Sequence, residues 1–172
     1  MNNIKATILD LLRVSAGAAC LAGAVPLQAA STSQHTVSIT VMAINEIAIT
    51  GSPSLTINTA TAGARPDTDS GDGQLKLTTN ETGKKITVQL DSALPTGLTL
   101  RLESTATDED FEGEIPSLDN TPKDLVTGLA NKATDDTDPS GVVLTYVLTA
   151  TQAAEPEAGL TRTVTFTLTD EV

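Results

Sequence analysis

The sequence predicts an all-β protein, an immunoglobulin-like antiparallel β-sandwich of seven to eight strands. Three observations carry that expectation. Apolar residues recur with period two along most of the chain, turn-forming Gly, Pro, Asn and Asp interrupt them at short intervals, and long helical repeats do not alternate with these segments. Threonines fill many of the alternate positions, where a β-branched side chain fits a pleated surface.

A leader comes first. Lys5 and Arg13 flank a mildly apolar start, Val14 to Val25 is a run of small and apolar residues, and Pro26-Leu27-Gln28-Ala29-Ala30 ends on small ones. This is the pattern of a secretory signal peptide, with cleavage expected after Ala29 and residues 30–172 left as a single domain. The apolar run is well short of the roughly 20 residues of a membrane-spanning helix, and no other stretch offers a span. A lipoprotein reading at Cys20 is disfavoured because Gly17-Ala18-Ala19 lacks the Leu that such sites usually carry. Export implies a periplasmic, cell-surface or extracellular destination. Cys20 is the sole cysteine, so the exported fold rests on packing and backbone pairing without disulfides.

Val37, Ile39, Val41, Ala43, Ile47 and Ile49 hold one phase of alternation, which predicts a long N-terminal strand over residues 36–50. Gly51-Ser52-Pro53 breaks it, and Ser54-Leu55-Thr56-Ile57 reads as a short strand. Residues 60–73 read as a loop, with Gly63, Pro66, Gly71 and Gly73 among threonines and aspartates. Leu75 and Leu77, the turn Asn80-Glu81-Thr82-Gly83, and Ile86, Val88 and Leu90 read as a hairpin. After the turn Leu94-Pro95-Thr96-Gly97, Leu98, Leu100 and Leu102 form a further strand, followed by an acidic loop to Pro122. Residues 123–129 fit a helical turn as well as a strand, with strand preferred. Val142 to Leu148 reads as a strand buried on both faces, and Val164, Phe166 and Leu168 as a half-buried one that places Phe166 in the core.

Composition excludes several functions. The net charge is −12 and the longest basic run is Lys84-Lys85, which argues against nucleic acid and against an anionic membrane surface. Two Phe, one Tyr and no Trp leave no stacking platform for sugars or bases. The one histidine, His35, sits in the tail ahead of the first strand without the partners that a nucleophile needs. No nucleophile elbow, phosphate-binding glycine loop or zinc motif occurs, and the carboxylates cluster with Gly, Ser and Thr rather than with the apolar residues that would raise a catalytic acid. The chain reads as non-enzymatic.

One constellation has chemical content. Asp67-Thr68-Asp69-Ser70-Gly71-Asp72-Gly73 approaches the alternating aspartate pattern of calcium loops, although the third acid comes one place late and no Glu closes the loop. If successive strands simply alternate direction, the 130–141 loop falls at the same end and brings Asp135, Asp136 and Asp138 toward Asp67, Asp69 and Asp72. Calcium is the only cofactor that these residues suggest. The competing reading is a set of solvated acidic loops that keep an exported protein soluble.

The alternating Val37, Ile39 and Val41 directly after the leader, together with Gly159 ahead of the closing segment Val164-Thr165-Phe166-Thr167-Leu168, loosely resemble bacterial fimbrial subunits and related matrix-filament proteins. The resemblance implies a structural subunit whose N-terminal strand enters a neighbour's sandwich, with Val37, Ile39 and Val41 as interaction residues and self-association or a homologous subunit as partner. The chain departs from the chaperone-assembled class, since Glu171 stands where an aromatic is usual and no disulfide can form after export. The alternative is a monomeric calcium-dependent adhesion or ligand-binding module working through its acidic loops.

Overall fold

The computed structural model describes residues 31–134 and 141–172. The expected signal peptide and Asp135, Asp136 and Asp138 lie outside the described residues. The chain divides into a unit that ends at Ile39 and a compact unit from Thr40 to Val172.

The compact unit is all-β, with two antiparallel sheets in a sandwich-like arrangement. Its strands are β1 (Asn45–Thr50), β2 (Asp69–Thr79), β3 (Lys84–Leu90), β4 (Leu98–Thr105), β5 (Gly113–Ile115), β6 (Lys123–Leu129), β7 (Lys132–Ala133), β8 (Val142–Ala150) and β9 (Val164–Asp170). One sheet runs β1-β2-β8-β4-β5, with β7 also paired to β2, and the other runs β6-β3-β9. Period-two side chains from both sheets meet between them, with Leu75, Leu77, Leu102 and Leu144 from the larger sheet and Ile86, Val88, Leu90 and Leu129 from the smaller. Residues 123–129 are strand, as preferred. Leu125 and Val126 are both buried where β6 shifts register against β3, and this break in alternation is what made the segment resemble a helical turn.

Several expectations require correction. Residues 36–50 are not one long strand. β1 starts at Asn45 because its ladder runs only along Gln74–Thr79 of β2, and Asn80 then ends it. The Asn80 side chain accepts from the Ile44 N–H at 2.7 Å and donates to the Met42 carbonyl at 2.8 Å, which occupies the backbone groups that a longer ladder would use.

Residues 54–57 alternate as expected but join no sheet. Pro53, Leu55 and Ile57 are half-buried, and a Cβ on Gly71 would lie 2.7 Å from the Pro53 Cβ. The segment therefore packs against the face of β2 that its glycines leave bare. For the same reason the loop expected over 60–73 ends early: β2 begins at Asp69 and runs through Gly71 and Gly73. Glycine in a strand interior marks close approach of other chain, and here Thr50, Pro53 and the Tyr146 ring supply it.

β2 and β3 are not a hairpin. The turn 80–83 carries the chain from one sheet to the other, so both strands keep their inward faces without pairing. β8 is buried on one face only, with Val143 37% exposed. The acidic stretch before Pro122 also contains structure, a 3-10 helix (Glu109–Phe111) and β5. It is Phe111 that is fully buried, whereas Phe166 on the edge strand β9 is half-buried.

Candidate functional site

Strand direction decides which loops share an end. β2 pairs with β8 so that Asp69 faces Leu148 and Leu75 faces Val142. Gly141 just before β8, and β7, which pairs with Thr78 and Thr79, therefore lie away from the Asp67 and Asp69 end of β2, so the described flanks of the 130–141 loop do not share an end with the 60–73 loop as expected. The described part of the second loop instead meets the 108–112 stretch. Lys132 Nζ lies 2.7 Å from Asp108 and 2.6 Å from Asp110. Simple alternation of direction fails because the chain changes sheets between β2 and β3.

Asp67, Asp69 and Asp72 are each engaged by neighbouring donors. Asp67 accepts from the Thr59 hydroxyl at 2.6 Å, Asp69 from the Thr56 N–H at 2.6 Å and the Ser70 N–H at 2.9 Å, and Asp72 from the Thr145 hydroxyl at 2.9 Å. The first two tie the 51–59 segment to the start of β2. Among the described residues, no three His, Cys, Asp or Glu side chains form a group that could hold a metal ion.

Two lysine clusters went unseen in the sequence because each joins residues far apart in it, Lys84 with Asp170 and Lys132 with Asp108 and Asp110. Lys84, with a side chain 11% exposed, sits 2.8 Å from Glu81 and 2.5 Å from Asp170, and Glu81 also accepts from Asn45. These contacts link the start of β1, the 80–83 turn and the end of β9. Hydrogen bonds to Asp170 and then Glu81 raise the Lys84 pKa above its ordinary value, and the bond from Lys84 lowers that of Glu81. Both charges are thereby stabilised. The cluster is a staple, not a proton-transfer pair.

The candidate interaction residues have a different environment. Val37 is 66% exposed, Ile39 81% and Val41 77%, and Met42 is 77% exposed beside them. Residues 31–44 form no strand. Four large apolar side chains within six residues are thus open to water, the densest such group among the described residues. The stretch 31–45 also contains no Asp, Glu, Lys or Arg, although the chain as a whole carries −12.

The sheet edges form the other half of the surface. At one seam, β5 of the larger sheet presses on β6 of the smaller, where a Cβ on Gly113 would fall 1.8 Å from the Leu125 carbonyl oxygen. At the other seam β1 of the larger sheet approaches β9 without pairing to it, so β9 pairs with β3 alone and its second edge has no hydrogen-bonded strand among the described residues. Its inward row of Val164, Phe166 and Leu168 packs on the core yet stays half-exposed. Sequence reasoning named this row as half-buried but not as an edge, since alternation carries no information about neighbours.

No protein-family model and no curated protein matches the chain. No helix among the described residues is long and apolar enough to cross a membrane.

Proposed function

We propose that the chain is an exported, non-enzymatic structural protein, a fimbria-like or surface-filament subunit that assembles by β-strand addition. Val37, Ile39 and Val41 are the donor side chains. The observation that carries this reading is their exposure in a segment that joins no strand among the described residues. Asn80 holds the segment only at Met42 and Ile44, and residues 37–41 ahead of that anchor pair with no strand among the described residues, alternate apolar side chains and carry no charge to desolvate, which are the properties of a strand that completes another sheet. Burying three such side chains is worth about 1.5–3 kcal/mol each, against the entropy of ordering the segment.

The test is deletion of residues 30–43 from the exported protein. Wild-type protein is expected to form polymers visible by negative-stain imaging, and the deletion variant to elute as a monomer with unchanged circular dichroism. Polymers that persist without the segment would refute the proposal.

A further inference from the structure

The donor segment leaves open which surface receives it, and the two seams of the sandwich differ enough to decide. We infer that the acceptor is the free edge of β9 in a second copy of this chain, which takes residues 36–43 as the fourth strand of the small sheet. The inference rests on the assembly reading above and adds the receiving site.

Hydrogen-bond parity along β9 comes first. Asp91 N–H donates to the Thr163 carbonyl at 2.9 Å and Glu171 N–H to the Gly83 carbonyl at 2.7 Å, and the register between them is unbroken. In an antiparallel ladder only alternate residues exchange bonds with a given neighbour. Thr165, Thr167 and Thr169 therefore bond to β3, and Val164, Phe166 and Leu168 turn their N–H and C=O groups to the free edge. The same three residues point their side chains inward. A strand added here pairs its backbone with 164, 166 and 168 and sets its own inward side chains beside theirs, and Val37, Ile39 and Val41 have the same number and spacing.

Charge makes the same choice. Neighbouring copies at −12 repel, so a contact is favoured where neither surface carries charge. Residues 163–169 contain no Asp, Glu, Lys or Arg, and neither do residues 31–45. The competing edges are less suitable. β1 has a free edge but carries Glu46, β6 carries Lys123 and Asp124, and β5 is three residues long at the seam closed by Gly113.

Donor and acceptor are different patches of one chain, so the contact is heterologous. Repetition of it yields an open filament unless the rotation happens to close.

Disulfide mapping tests the assignment. In the full chain with Cys20→Ser, two single-cysteine proteins with tags of different size are mixed under oxidising conditions. One carries Ser38→Cys or Thr40→Cys, and the other carries Thr165→Cys or Thr167→Cys, which lie on the exposed face of β9 and leave the core untouched. Side chains on this face of directly opposed non-hydrogen-bonded residues come within disulfide reach. Disulfide-linked heterodimers are expected with at least one β9 cysteine, and none with control cysteines at exposed Ala48 on β1 or Glu114 on β5. Polymers that form while the links run to Ala48 or Glu114 would overturn the β9 assignment and leave strand addition standing. Neither polymers nor heterodimers in any pairing would overturn both.

Discussion

Phe111 and Gly113 stand two residues apart and do opposite things for the same seam: one fills it, the other keeps a side chain out. Phe111 is 0% exposed, and Phe111→Ala is expected to lower stability by about 3–5 kcal/mol in denaturant titration. Phe166→Ala should lose no more than about 2 kcal/mol, because part of its ring already meets water. A larger loss at Phe166 than at Phe111 would show that β9 is covered in solution. At Gly113 even a methyl group meets the Leu125 carbonyl, so Gly113→Ala must displace β5 or β6, at a cost of about 1–3 kcal/mol or more. Tyr146 reports on the same core. Burial pushes its hydroxyl up to about 12 from 10.0, so stability is intact below pH 10 and declines as the pH rises toward 12. As the sole tyrosine in a chain without tryptophan, it gives an unmixed absorbance titration. A midpoint near 10 in the folded protein would contradict its burial. Neither Phe111 nor Gly113 was legible as core or seam, since both lie among Asp108, Glu109, Asp110, Glu112 and Glu114, where local composition reads as solvated loop.

At the level of elements, alternation located β3, β4 and β9 and their inward residues, because a half-buried strand imposes period two on its own sequence, whereas the continuous apolar run of β8 marked a strand but hid which face is inward. Pairing was not legible. β2 and β3 show the pattern of a hairpin, yet the same pattern serves two strands in opposite sheets. The β2 glycines read as loop until Pro53 and Tyr146 are seen against them. The alternation of Val37, Ile39 and Val41 was visible too, but not that these side chains are exposed outside any strand, because spacing alone does not say what covers them. Turns depend on polar anchors that composition shows only as acidic. Asp119, between β5 and β6, accepts from Lys123 and Thr121 while its carbonyl receives the Leu90 N–H. The Lys123 bond above all holds its carboxyl at about 2 rather than 3.8. A depressed carboxylate contributes stability at neutral pH that is lost as the pH falls from 3.8 to about 2. Asp119→Asn should therefore melt below wild type at pH 7, with the difference closing by pH 2. A gap that is constant across that range would assign the loss to packing instead.

For the whole molecule, the strongest constraint is charge. Copies that carry −12 must approach within a few ångströms for one to lend a strand to the next, and the uncharged surfaces at residues 31–45 and 163–169 remove the local part of the repulsion but not the long-range part. That remainder is screened by salt: the Debye length falls from about 30 Å at 0.01 M to about 8 Å at 0.15 M ionic strength. Polymer growth followed by light scattering should accelerate several-fold over this range, and the variant lacking residues 30–43 should show no growth at either. The sign discriminates between mechanisms. A contact built on complementary ion pairs, such as acidic loops meeting the few lysines, would slow with added salt, because screening weakens attraction as it weakens repulsion. Acceleration by monovalent salt with no further gain from calcium at matched ionic strength would assign the effect to screening. Strong acceleration by calcium alone would instead place the contact at the acidic loops.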